Sequence, residues 1–447
     1  MMVQNRIRVI GSQSNKINSL ETPSISPSKL CFEYCRKKWK KILLIISISI
    51  LLVIGIYFIT KIVAKKKSEI LITIIRKTML TTTSIITSTT TATTITTTPI
   101  IISAFGKWTD EGRLNIPRRD HTSTVLSDGK VLVTGGRSFH TILSDCELYD
   151  PLKKQWTLVA KMSVRRKDHT ASLLPNGLVL VTGGANGLVS YINSAELYNV
   201  STDEWILTGN MKDSHAHHTA TVLKNGNVLV AGGNPSSGVF NTAALFNIWT
   251  GNWRPTGRMI CHHSSHTASL LMDGNVLITG GSSSCFSKRQ PGSSELYDPT
   301  TNGWSLINQS IVIRKHHTAT VLTNGKVLVT GGCDYTFKQL NSVALYDPSK
   351  KMWTLANNMI FRRSAHTASL LSNGAVLVTG GIDDENSVQN TVELYDPSTN
   401  SWSSIHSMKI QRSSHTASTL MGERVLVIGG SDWEDDNADL TELYNYS

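Results

Sequence analysis

Fourteen histidines make imidazole chemistry the first question this 447-residue chain raises. Seven of them recur in one setting: His121, His169, His218, His266, His317, His366 and His415 are each followed by threonine and stand thirteen residues after a tryptophan. Seven equivalent imidazoles could ring a metal, but a residue copied into every unit is better explained by the unit itself, as a structural hydrogen-bonding group. The departures from the repeat say more. His215, His217, His262, His263 and His316 lie just before the first strands of three successive units. Neutral imidazoles gathered there could bind zinc or copper, or the patch could charge near pH 6. They are weak metal candidates, because nothing in their spacing fixes a tetrahedral site, and Cys-x-x-Cys appears nowhere. No cofactor is expected.

Arginine offers a second chemistry. Three residues before each repeat histidine stand Arg118, Arg166, His215, His263, Arg314, Arg363 and Arg412, with Arg119, Arg165, Lys315 and Arg362 beside them. A guanidinium pairs bidentately with carboxylate, phosphate or sulfate. These loops therefore predict a basic mouth suited to an acidic protein or an anionic glycan. The alternative is that each arginine braces a loop against an acid of a neighbouring unit. The longest loop, from Gly281 to Glu295, adds Lys288 and Arg289 as partner-binding candidates and carries Cys285. Cys261 lies on the preceding loop, so a Cys261–Cys285 disulfide is a candidate. Cys146, Cys261, Cys285 and Cys333 allow three pairings, and sequence does not choose among them.

The elements that must hold these loops follow from the repeat. Trp108, Trp156, Trp205, Trp253, Trp304, Trp353 and Trp402 are spaced 48 to 51 residues apart, which marks one supersecondary unit copied seven times. In the third copy, His218 to Leu223 alternates small polar and apolar residues as a strand does. Asn225-Gly226 then predicts a type I′ hairpin, and Asn-Gly or Asp-Gly recurs in every unit except the last, which has Met421-Gly422-Glu423. An apolar second strand follows and ends in Gly-Gly in all seven copies, where glycine permits a close backbone approach. After a loop comes a third strand beginning at Glu147, Glu196, Ala244, Glu295, Ala344, Glu393 or Glu442. An Asp-Pro turn commonly leads to the Trp strand.

Four short strands, a double glycine, then Tyr and Trp: the unit resembles the Kelch repeat. Its His-Thr-x-x-x-Leu and Gly-Lys-Val-Leu-Val-Thr-Gly-Gly segments are most similar to the central domain of galactose oxidase and glyoxal oxidase. The resemblance covers residues 105–447 and implies an all-β fold, a β-propeller around a central channel. The last third strand, at Glu442, has no Trp strand after it, and Trp108 has no strand before it. Half a blade at each end predicts seven blades, the last closed by the N-terminal strand. Kelch adaptors of similar pattern carry arginine at blade starts, and some read acidic peptides with it. The oxidase family's copper site needs a tyrosine before a repeat histidine, a Tyr–Cys thioether and a further histidine from another domain. Here Asp120, Asp168, His217, Ser265, His316, Ala365 and Ser414 precede the repeat histidines. None is tyrosine, and the chain reaches Ser447 without the further domain, so no catalytic residue is assigned. A galactose- or glyoxal-oxidase-like copper enzyme is the alternative reading, and a cytosol-facing Kelch adaptor another.

The N-terminal quarter reads differently. Residues 1–77 hold 15 Lys or Arg against three Glu, which accounts for the whole net charge of +12, while residues 78–447 balance 29 against 29. The basic excess thus says nothing about nucleic acid, and none is expected as a partner. Residues 42–60 are uncharged and mostly apolar, long enough for a single transmembrane helix of signal-anchor type. Residues 1–41 read as a basic, disordered cytoplasmic tail in which Cys31 and Cys35 are juxtamembrane thiols. Residues 61–104 contain a Thr-rich tract that resembles an O-glycosylated stalk. Asn199, Asn308 and Asn445 head N-glycosylation sequons. Together these predict a single-pass membrane protein whose propeller lies in an extracellular or luminal space. There it would bind a protein or glycan partner without catalysis.

Overall fold

The computed structural model describes residues 106–447, apart from residue 189, segments 236–240, 286–293, 308–312 and 433–437, and residue 447. The expected tail, transmembrane helix at 42–60 and Thr-rich stalk lie outside the described residues, as do Lys288, Arg289 and Asn308. The described residues build seven four-stranded antiparallel sheets, one per repeat. In blade 1 the strands run Thr122–Val125, Val131–Thr134, Cys146–Asp150 and Gln155–Val159, from the channel outward. Blade 7 takes Thr416–Leu420, Arg424–Ile428 and Leu440–Asn445 from the C-terminal end and Lys107–Arg113 from the N-terminal end. The register sets Trp108 opposite Tyr444 and Asp110 opposite Glu442. The ring is therefore closed by strand pairing, and the sheet edge that an open array would expose is consumed.

Packing explains the pattern. The second strands (Val131–Thr134 and its counterparts) are buried along their whole length, because blades cover both of their faces. Each fully buried valine or leucine there contributes about 1.5–3 kcal/mol. On the outer edge, the tryptophan of each fourth strand meets the aromatic ring of the third, as in Tyr149–Trp156 at 5.0 Å and Tyr395–Trp402 at 4.9 Å between centroids. Tryptophan is repeated because an amphipathic ring suits this half-covered position.

The hairpins differ from the expected type I′. At Asp128-Gly129 the Gly129 amide bonds the Leu126 carbonyl and the Leu126 amide bonds Lys130, while only Gly129 is left-handed, at φ +83°. This is a type I turn followed by a glycine bulge. The Asp128 carboxylate accepts from the Lys130 amide, which is why aspartate or asparagine precedes each of these glycines. Two successive left-handed residues occur instead in the last blade, at Gly422 and Glu423, where that side-chain acceptor is missing.

The double glycine has a steric reason. A Cβ at Gly331 would sit 2.5 Å from the Arg363 carbonyl oxygen and 2.8 Å from Cε1 of His366 in the next blade. At Gly332 it would meet His317 of its own blade at 2.8 Å, and both glycines are left-handed. The pair is where two repeat histidines pack against one strand end.

Candidate functional site

Two sets of loops share one face of the disk. Short bridges tie the loop entering each first strand to the loop leaving the second, as in Arg119↔Arg137, Lys167↔Ala185, Lys315↔Cys333 and Ser364↔Ile382. In blade 4 this tie lengthens into a two-stranded sheet, Cys261–Ser264 with Ser282–Cys285. The tight turns between strands one and two, and between three and four, lie on the opposite face. The loop face is therefore the surface the repeat leaves free to vary.

At its centre the seven residues before the repeat histidines form a closed collar. Each is left-handed, with φ between 52° and 55°, and each amide donates to the carbonyl of its counterpart one blade back. Asp168 bonds Asp120, His217 bonds Asp168, and so on until Asp120 bonds Ser414. Sequence alternatives at these positions are tolerated because the ring is made by backbone. Below the collar, every repeat histidine bonds the first-strand threonine of the preceding blade. Examples are His121 to Thr416 at 2.9 Å, His266 to Thr219 at 2.9 Å and His415 to Thr367 at 3.0 Å. Burial holds the histidines neutral: His121 is pushed down to about 3, with the Arg118 charge adding to desolvation. His169, His218, His266, His366 and His415 are all driven well below the ordinary value, by burial first. They staple blades through their Nε2–threonine bonds. The channel they border, about 520 Å³, is walled by these histidines with threonine and alanine.

The five arginines expected at the mouth are not on the surface. Arg118, Arg166, Arg314, Arg363 and Arg412 are among the largest fully buried side chains, between 0% and 2% exposed. Four pair with the glutamate that opens the third strand of their own blade. Arg118 meets Glu147 at 2.8 Å, Arg166 meets Glu196 at 2.7 Å, Arg363 meets Glu393 at 2.8 Å and Arg412 meets Glu442 at 2.7 Å. The same guanidinium donates to the carbonyl of the first glycine of the pair, at Gly135, Gly183, Gly380 and Gly429. Each glutamate also accepts backbone amides of the incoming loop, as Glu393 does from Ile360 and Phe361. The bracing reading is the correct one, though the acid belongs to the same blade. These four guanidinium groups are thus spent on internal carboxylates and carbonyls and are not offered to a partner.

What remains charged at the mouth is mixed in sign. Arg137 pairs with Asp120, Lys167 with Asp168, and Arg362 lies 3.5 Å from Asp384. Lys315 stands 3.5 Å above the Phe337 ring. Among the described residues the mouth is thus mixed in sign, where sequence predicted a basic one.

The five metal candidates scatter. His215 and His263 occupy the arginine position, and their Nδ1 atoms donate to Gly232 and Gly280 at 2.7 Å as the guanidinium does elsewhere. His263 also bonds Glu295 at 3.1 Å. His217 and His316 belong to the collar, His217 lying 3.6 Å from Asp168. Burial, with help from His217 and Lys315, lowers His316 to about 4. His262 sits on the small blade-4 sheet. Among the described residues, one set of three candidate ligands converges, Cys261 with His263 and Glu295. Cys261 is disulfide-bonded, which removes its thiolate. The strand register sets Cys285 opposite it. Cys146 and Cys333 are free and buried, and desolvation raises the Cys146 thiol to about 12.

Sequence reasoning passed over the exposed apolar side chains of the loop face: Phe139 and Leu188 in blades 1 and 2, Tyr335 and Phe337 in blade 5. Leu188 is 98% exposed and Tyr335 76%. They lie where the repeat has no fixed residue, so no periodic signal marks them. Their mark is a large apolar residue in a polar loop. Tyr335 and Phe337 border a cleft of about 430 Å³ together with His262, Ile313, Arg314 and Lys315. Of the glycosylation candidates, Asn199 and Asn445 are described and each ends a third strand, the Asn199 side chain accepting from the Ser201 amide and Asn445 Nδ2 donating to Thr109 Oγ1 at 3.3 Å.

Comparison with known proteins agrees with this architecture. The KLHDC2/KLHL20/DRC7 Kelch-repeats domain family matches residues 265–447, and the attractin/LZTR1 β-propeller family matches residues 131–339. No curated protein sequence matches. Among solved structures, a fungal alcohol oxidase of the AA5 family, in complex with copper, superposes with a TM-score of 0.63 at 16% identity, over 76% of each chain. At that identity the likeness concerns fold alone. Residues 106–447 thus form a seven-bladed β-propeller that shares its fold with the AA5 oxidase and is similar over overlapping stretches to Kelch-repeat and attractin-type propeller domains.

Proposed function

We propose that the chain is a non-catalytic binding module that holds a protein partner against the loop face of the propeller. One observation carries the reading: Phe139, Leu188, Tyr335 and Phe337 stand exposed on loops that short backbone bridges tie to the propeller. Exposed aromatic and aliphatic side chains on rigidly supported loops are the usual anchors of a protein interface. Both matched families are propeller or Kelch-repeat domains, which supports the same reading. The anionic-glycan version is weakened, because four of the arginines on which it stood pair with internal glutamates, while Lys288 and Arg289 lie outside the described residues. The non-catalytic reading is preferred to copper oxidation because no collar position is tyrosine and the repeat histidines bond threonine. Residues 42–60 would anchor the module in a membrane with the propeller outside, a reading that rests on sequence. Protease accessibility on intact cells tests it.

The test uses full-length chain as bait. A Phe139→Ser/Leu188→Ser variant alters the loop face, and a Leu152→Ser/Trp249→Ser variant removes two exposed residues of the opposite face. Loss of the captured protein with the first pair and retention with the second is expected. The reverse pattern would sink the proposal.

A further inference from the structure

The seven blades repeat one buried position pair: the residue three before the histidine and the residue that opens the third strand. Four copies are Arg with Glu. Blade 4 is His263 with Glu295, and blade 3 is His215 with Ala244. In blade 3 the acid and the permanent cation have both gone, so the site stays neutral. Blade 5 breaks the rule. Arg314 is kept while Ala344 replaces the glutamate, and among the described residues no carboxylate lies in salt-bridge range of Arg314.

Arg314 is 2% exposed, as deep as its paired counterparts. Its Nη1 donates to the carbonyls of Gly331 at 2.9 Å and Ser342 at 2.8 Å, the same backbone contacts as in the other blades. Its Nη2, which elsewhere meets a carboxylate at 2.7–2.8 Å, has the Ser342 hydroxyl at 3.0 Å instead. Neutral acceptors solvate the group without balancing its charge. Desolvation alone lowers Arg314 to about 10. A buried, uncompensated cation costs far more than a paired one, and proteins seldom keep one without an anion nearby.

This is also the blade with the cleft. Its charged lining is Arg314, Lys315 and Asp334, and Ile313, Tyr335 and Phe337 give it apolar walls. We propose that this cleft is a carboxylate-binding site, in which a ligand carboxylate takes the charge-balancing role that glutamate plays in the neighbouring blades. A carboxylate is preferred to phosphate or sulfate because the missing group is a carboxylate and the walls are largely apolar. The same chemistry could come from a free small carboxylate or from an acidic side chain of the partner protein. The proposal rests on the loop face being a binding surface, but its test needs no partner, so the two fail separately.

Propionate, the side chain of glutamate in isolation, is the probe. Titrated into full-length protein at constant ionic strength, it is expected to raise the melting temperature of the wild type above that in equal chloride or sulfate. Ala344→Glu supplies the acid internally. It is expected to melt higher than the wild type and to lose the propionate response. A capped Leu-Glu-Leu tripeptide, compared with Leu-Gln-Leu, separates the sources. Binding about tenfold tighter than propionate assigns the site to a partner's side chain, and equal binding assigns it to a free carboxylate. An equal propionate shift in wild type and Ala344→Glu would overturn the proposal. So would no shift at all, or sulfate acting as well as propionate.

Discussion

Acid should unfold this propeller through its stapling histidines, and the size of the effect can be worked from their burial. All seven repeat histidines are held neutral in the fold by burial, His121 and His317 at about 3 and the others well below the ordinary value. In the unfolded chain each titrates near 6.5. A folded value below the unfolded one means that unfolding takes up a proton in the interval between them. Stability is then fully present above the unfolded value and is lost as pH falls through it. Between pH 7.5 and 6.0 each histidine removes about 0.8 kcal/mol, and seven remove about 5 kcal/mol, a large share of an ordinary domain's 5–15 kcal/mol. This result is insensitive to how far below about 4.5 the folded values lie, because only the unfolded chain titrates in that window. His215, His262 and His316, also lowered by burial, add in the same direction. Urea unfolding of the full chain at a series of pH values gives the slope directly. The expected uptake at pH 6 is about five protons or more, and His366→Gln should reduce it by a little under one. An uptake of one proton or fewer, or a slope unchanged in His366→Gln, would show that the histidines are not buried neutral staples.

Two further outcomes follow from the blade interior. Glu393→Ala leaves Arg363 buried without its carboxylate and the Ile360 and Phe361 amides without theirs, and should cost about 3–5 kcal/mol in urea unfolding. A cost below about 1 kcal/mol would mean that the clasp is solvated. Gly331→Ala places a Cβ within 2.8 Å of His366 and within 2.5 Å of the Arg363 carbonyl at a left-handed backbone. It should destabilise by well over the roughly 1–2 kcal/mol of the backbone strain alone, whereas Gly129→Ala, with open space around its Cβ, should cost only the strain. Equal losses in the two variants would refute the steric account of the double glycine.

Sequence carried the architecture further than the site. Seven tryptophans at one spacing fix blade number, and the half-blades at Trp108 and Glu442 fix how the ring closes, because both are properties of the repeat. The arginine position misled for the same reason. Arg118, Arg166, Arg314, Arg363 and Arg412 lie in loops before a first strand, and loop arginines are ordinarily solvated. Four of them pair inside the blade with a glutamate about thirty residues away, and nothing local in either residue announces the pair. One signal was nonetheless present in the alternation of glutamate and alanine at the third strand, with Ala244 and Ala344 breaking it. Read against the histidine at 215 and the arginine at 314, that break singles out blade 5. The exposed Tyr335 and Phe337 had no such signal, since they belong to a loop that the repeat does not constrain. Hairpin type was misread because Asn-Gly and Asp-Gly serve two turn classes, and the Asx side chain's bond to the amide two residues on decides between them.

Ring closure underlies every statement about a shared loop face, and hydrogen exchange of the full chain reads it at one strand. Amides of Lys107–Arg113 that pair with Leu440–Asn445 should exchange with the slow class, alongside the buried second strands. Exchange of Lys107–Arg113 at the rate of a free peptide, with the other blades still protected, would mean that the ring is open and the account wrong.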